Sequence, residues 1–120
     1  MLTDIETDGN LFLRKNASDE LFISTPSGSD IAVTTTSGGS GGSMTEENWS
    51  GWFAKAAENI SSQNYIGFVN GSDSRLWTAE ISDSGVYTSG LMYNPGATSY
   101  YDQEPAFNVD FNGDGTIGTP

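Results

Sequence analysis

Asn64-Tyr-Ile-Gly-Phe-Val69, closed by Asn70-Gly71 and answered by Arg75-Leu-Trp-Thr-Ala-Glu-Ile81, is the stretch that decides the fold. The first run is rich in β-branched and aromatic residues. Asn-Gly is a strong hairpin signal, and the second run alternates apolar with polar residues, so it returns antiparallel. Ser82-Asp-Ser-Gly85 turns the chain again, into a run from Val86 to Leu91. Upstream, Leu11 to Arg14, Glu20 to Ser24 and Ile31 to Thr35 are short β-rich runs. Asn16-Ala-Ser-Asp19 and Pro26-Ser-Gly28 are the turn clusters between them.

Two segments carry helical signals. Thr45-Glu-Glu-Asn-Trp reads as an N-cap with an acidic first turn, and Phe53-Ala-Lys-Ala-Ala-Glu58 has helix propensity; Trp52 to Ile60 reads equally well as a strand. Near the end, Asp102-Gln-Glu-Pro105 reads as an N-cap with Pro in the first turn, opening a short helix to about Val109 with Phe107 facing the core. The fold class expected is mainly β. It is an antiparallel sandwich or curled sheet of about six to eight strands, with a short helix leading into a C-terminal loop.

That loop, Asp110-Phe-Asn-Gly-Asp-Gly-Thr-Ile-Gly118, places oxygen-bearing side chains at every second position, Asp110, Asn112 and Asp114. Gly115 stands where the chain must turn sharply, Thr116 offers a backbone carbonyl, Gly118 leaves room for a water, and Ile117 is expected to pin the loop to a core. This is the front half of an EF-hand-like calcium loop, in which hard oxygens converge on one cation. The alternative is a plain Asx/Gly turn. Such a loop carries a bidentate Glu at its twelfth position, whereas this sequence stops at the eleventh, Pro120. Asp4 or Glu6 near the start, or Glu80 or Asp83 in the middle, are the carboxylates available to complete the shell.

Composition narrows the function. Sixteen acids against four bases give a net charge of −12 and a pI near 4.1. Phosphate recognition needs clustered Lys and Arg, so nucleic acid is not an expected partner, and membrane insertion is not expected either. An acidic surface suits divalent cations, although most such carboxylates serve solubility alone. With no Cys and no His, there is no thiol nucleophile, imidazole base, disulfide or ordinary zinc site. Three Trp, five Tyr and six Phe supply the large apolar areas of a small core. Tyr93, Tyr100 and Tyr101, beside Asn94-Pro-Gly96, are the aromatics most open to a glycan or protein contact, whereas Trp49, Trp52 and Trp77 are expected in the core. No acid pair is singled out for hydrolysis, and an enzyme is not expected.

Ser37-Gly-Gly-Ser-Gly-Gly-Ser43 is a flexible linker, and Met44 follows it directly. The chain therefore reads as one domain, 1–120, built from segment 1–36, linker 37–43 and segment 44–120. A Met at the head of each segment suggests an engineered junction, either a split domain rejoined or a permuted one; a natural Gly/Ser loop is the alternative. Split pairs of this kind are often joined by a Lys isopeptide bond. Lys15 and Lys55 are the residues to consider for one, Lys55 having Glu58 and Asn59 nearby in sequence.

With these residues placed, the chain resembles the tryptophan-rich C-terminal module of large secreted bacterial proteins, notably cyanobacterial haemolysin-like and surface proteins. The resemblance runs through the acidic Ile5-Glu-Thr-Asp8, two short strands and a Gly-rich segment. It continues with Trp52 and Glu58, the Tyr65 to Gly71 strand, Leu76-Trp77-Thr78 and the turn from Asp83 to Tyr87. It closes with Phe107 and Asp110 to Gly118. It covers nearly the whole chain in the family's order, and so favours a split-and-rejoined module over a permuted one. It implies a non-catalytic, calcium-binding structural or adhesive module, secreted or at the cell surface, with a protein or glycan as its contact.

Overall fold

The computed structural model describes residues 2–6, 10–25, 29–34, 44–48, 51–107, 109–111, 113 and 115–118. Two antiparallel meanders make two sheets. The first has four strands, β1 (Thr3–Glu6), β2 (Phe12–Lys15), β3 (Leu21–Ser24) and β4 (Asp30–Ala32), in chain order. The second has five, β5 (Glu47–Asn48), β6 (Trp52–Ile60), β7 (Gln63–Asn70), β8 (Leu76–Ile81) and β9 (Tyr87–Tyr93), also in chain order. One helix, α1 (Thr98–Phe107), follows β9. Among the described residues no helix is long and apolar enough to cross a membrane.

The β7 side chains divide between two faces. Ile66 and Phe68 enter a core shared with Leu13, Leu21 and Ile23 of the four-stranded sheet. Val69 enters a second core, on the opposite face, with Ala56, Leu76, Tyr100, Phe107 and Phe111. The five-stranded sheet is therefore covered on both sides, by the other sheet on one and by α1 and the C-terminal loop on the other. The expected sandwich is present, with a third layer added.

The helical signal at 53–58 is overridden. β6 pairs with β5 on one side and β7 on the other, from Trp52↔Asn70 to Ile60↔Gln63. A register shift between Ala54 and Ala56 leaves Lys55 bulged out and exposed. Around it Ala54 and Ala57 face the first core and Ala56 the second. Small side chains let two layers close on this strand, and that burial outweighs the few tenths of a kcal/mol per residue, roughly, that helix propensity offers. The β6–β7 turn is Ser61-Ser62, with φ of 52° and 69°. Both central residues at positive φ match the twist of a two-residue hairpin.

The helix also differs from expectation at its start. It begins at Thr98, after an Asn94–Ala97 turn in which Ala97 N–H bonds Asn94 O at 3.2 Å. Pro105 therefore lies near its end, not in its first turn. Proline cannot donate to the helix ladder, and the helix stops at Phe107. Phe107 is fully buried, as expected.

The Gly/Ser stretch lies outside the described residues, but its flanks do not. Met44 N–H bonds Val33 O at 3.0 Å, and Leu21 N–H bonds Met44 O at 2.7 Å. Met44 is completely buried. The first sheet lies wholly within 1–36, and the second sheet with α1 wholly within 44–120.

Candidate cation loop

Asp110 organises the loop from its first position. Its Oδ1 accepts Gly113 N–H at 3.0 Å and its Oδ2 accepts Gly115 N–H at 2.8 Å. Gly113 and Gly115 have φ of 74° and 86°, a conformation that side chains disfavour. The sharp turn read from the sequence at Gly115 is present. Thr116 is exposed, and Gly118 is buried with φ 99°. Asn112 and Asp114, the other two side-chain ligands expected, lie outside the described residues.

Phe111 anchors the loop. It is 6% exposed and packs edge-on against Phe107, ring centroids 5.3 Å apart. Ile117, expected to do this, is 47% exposed. The anchor falls at the second position of the loop because the loop leaves α1 directly over Val69 and Ala56, and the second residue meets them first.

Among the described residues, three of the carboxylates expected to complete the shell, Asp4, Glu80 and Asp83, have partners elsewhere. Asp4 and Glu6 belong to β1, in the four-stranded sheet, while Phe111 packs on the far face of the five-stranded sheet. Asp4 instead pairs with Arg14 Nε at 2.8 Å. Glu80 accepts the Ser89 hydroxyl, and Asp83 accepts Asn64 Nδ2 at 3.1 Å. The carboxylate that does meet the loop is Glu104, completely buried on α1. Its Oε2 accepts Phe111 N–H at 2.8 Å and its Oε1 accepts Gly118 N–H at 2.9 Å. Sequence reasoning missed it, yet a signal existed. Tyr100, Glu104 and Phe107 recur at i, i+4 and i+7, so an acid sits on the buried stripe of the helix.

The tyrosines separate. Tyr100 is completely buried and its hydroxyl donates to Ser74 O at 2.7 Å, so it presents no face to a glycan. Tyr101 stacks edge-on against it at 5.9 Å and is half-buried. Tyr93 is half-buried and borders a groove of about 250 Å³ between α1 and the sheet, with Tyr65, Leu91 and Gln103. Trp52 and Trp77 pack against the first core, T-shaped at 5.9 Å; Trp49 lies outside the described residues. Lys15 bonds Glu46 at 2.6 Å and Asp19 at 3.2 Å, and the Glu46 carboxylate, then Asp19, holds its amine above the ordinary lysine value. Lys55 is exposed above the Phe53 ring at 5.9 Å. Neither lysine has the buried setting that isopeptide chemistry requires.

Among the described residues no group of three or more acidic side chains comes together as a metal site, and Asp110 with its glycine turn is the part of the loop whose chemistry suits a hard, oxygen-seeking cation. Comparison with curated proteins and with solved structures brings no match. A family model does match, over residues 12–118, which takes in β2 to β9, the helix and the loop. On that match the chain belongs to the tryptophan-rich Synechocystis species C-terminal domain family.

Proposed function

We propose that this chain is a non-catalytic module whose C-terminal loop binds calcium, and that it serves a structural or adhesive role in a secreted or cell-surface protein. The observation that carries the reading is Asp110, whose two oxygens gather the Gly113 and Gly115 amides into an EF-hand-like turn. Asp110, Asn112, Asp114, Thr116 and Gly118 are the proposed ligand positions. Calcium there would relieve repulsion among carboxylates, so its binding free energy is also folding stability. Glycan or protein contact is the accompanying proposal, at Tyr93 rather than at Tyr100.

The test is thermal melting with excess calcium, with magnesium, with sodium chloride at matched ionic strength, and with a chelator. At a free concentration about 100 times the dissociation constant, one site adds about 2.7 kcal/mol. That is a rise of about 10 °C for a chain of this size. Equal melting in calcium and chelator overturns the reading. An equal rise with sodium chloride assigns the effect to screening of the net charge.

A second reading concerns the Gly/Ser stretch. The bonding of Val33 to Met44 across it favours segments 1–36 and 44–120 as two pieces that reassemble, the stretch serving as their junction.

A further inference from the structure

Glu104 is the one fully buried acid among the described residues. A carboxylate taken out of water is costly unless its oxygens are bonded. Here each oxygen meets a backbone N–H, and the two amides belong to the second and ninth positions of the loop, Phe111 and Gly118. The Glu104 carbonyl also accepts Val109 N–H at 3.0 Å. One residue thus holds the approach, the entry and the far end of the loop. The helix itself does not call for an acid here, since its neighbours on the same stripe are Tyr100 and Phe107. In a complete EF-hand the bidentate Glu at the twelfth position and the helix that carries it close the far end of the loop. Here the entering helix ties the loop's second position to its ninth.

We propose that Glu104 is a positioning residue for the cation loop. It ties residues 111 and 118 together so that the loop is closed before a divalent cation arrives, and it is not itself a ligand. The inference rests on the calcium reading above. Glu104 is completely buried with both oxygens turned to N–H donors, whereas Asp110, which also bonds two amides, is half-exposed and can offer its remaining lone pairs to a cation. Closing the loop in the folded chain removes ordering entropy from the binding step. Partners one shell behind a metal ligand typically carry about 10–100-fold in metal affinity.

The experiment compares the unaltered chain with Glu104→Gln and Tyr100→Phe, by calorimetric titration with calcium well below the melting temperature. Terbium luminescence lifetimes in H2O and D2O count the waters on the bound ion. Glutamine keeps the shape but turns an NH2 toward one of the two amides, so one end of the loop is released. The expected result for Glu104→Gln is calcium affinity about tenfold weaker or more, with the terbium hydration count unchanged. Tyr100→Phe removes the helix's bond to Ser74 O on the same stripe without touching the loop bonds or Phe111, and should keep its affinity within about twofold. Unchanged affinity in Glu104→Gln overturns the role. So does an equal loss in Tyr100→Phe, which would mark general loosening. Added waters on terbium in Glu104→Gln would make Glu104 a ligand instead. Failure of the unaltered chain to bind calcium overturns the calcium reading and this role together, whereas calcium binding that Glu104→Gln leaves unchanged overturns this role alone. If Glu104→Gln does not fold, Glu104→Asp, whose carboxylate is one methylene shorter and reaches only one end of the loop, carries the same expectations.

Discussion

A Cβ added at Gly67 would lie 2.9 Å from Phe111 Cζ. The middle of the sheet is thus bare where the loop's anchor ring rests on it. A closer approach than real Cβ atoms show must be relieved by movement, and what can move is the ring, which carries the loop with it. Gly67→Ala should therefore destabilise the fold by about 1–3 kcal/mol, as overpacking does, and weaken calcium binding as well. Phe111→Leu should recover part of the loss in a double-mutant cycle. Additive effects in denaturant titrations would show that the contact does not couple them.

Asp110→Ala should remove most of the calcium-dependent rise in melting temperature, because it deletes the proposed charged ligand and frees the Gly113 and Gly115 amides. Asp19→Ala is the control. It lies in the Asn16–Glu20 turn of the other sheet, paired with Lys15, so it should change the baseline and leave the calcium increment intact. A full increment in Asp110→Ala removes the loop from consideration.

Burial pushes the Glu58 carboxyl above its usual range, against a smaller opposite pull from Asn10 N–H. Its Oε1 is buried with no hydrogen-bond partner among the described residues. The folded state thus prefers the neutral form, and holds its proton at pH values where the unfolded chain has released it. Stability from this group therefore falls as pH rises from the unfolded carboxylate range through the raised folded value. Glu58→Gln should melt higher than the unaltered chain at neutral pH, and the difference should vanish below the unfolded range. A difference independent of pH between about 3 and 7 would contradict this origin.

Segments 1–36 and 44–120, made separately, should associate on mixing. Each carries a whole sheet, and the interface is the shared core plus backbone bonds such as Thr34 N–H to Gly85 O at 2.8 Å and Tyr87 N–H to Thr34 O at 2.8 Å. Two unassociated species on size exclusion would make the Gly/Ser stretch an ordinary loop. A species resistant to boiling in detergent would reopen the isopeptide question at Lys15 and Lys55.

Much of this architecture is legible residue by residue. β7 follows from its β-branched and aromatic run and β8 from alternation, and their turn from Asn70, whose Oδ1 accepts Ser72 N–H at 2.8 Å. The Asn16 turn follows likewise, since its Oδ1 accepts both Ser18 and Glu20 amides. β6 was ambiguous because alanine is chosen there for size, not for propensity, and size demands come from layers that are distant in sequence. Ser61-Ser62 lacks the glycine or asparagine that usually announces a tight hairpin. At the loop, the turn was readable from Asp110 and Gly115. Which hydrophobic residue anchors it, Phe111 or Ile117, depends on how the helix docks. Glu104 was hidden for the same reason, since one acid in a helix means little until its neighbours are known to be buried.

Because β6, β7 and β8 present side chains to two separate interiors, the five-stranded sheet acts as a wall between two thermodynamic compartments. The helix and loop make one, the facing sheets the other. A perturbation that melts the first need not dissolve the second, since the wall keeps its strand pairing and its other covered face. Native-state hydrogen exchange should then resolve a sub-global opening: amides of the helix and loop released together at low cost, those of Ile66 and Phe68 only on complete unfolding. Cation occupancy would then set the protection of the first group alone, so that the module registers calcium in one layer while the sandwich stays closed.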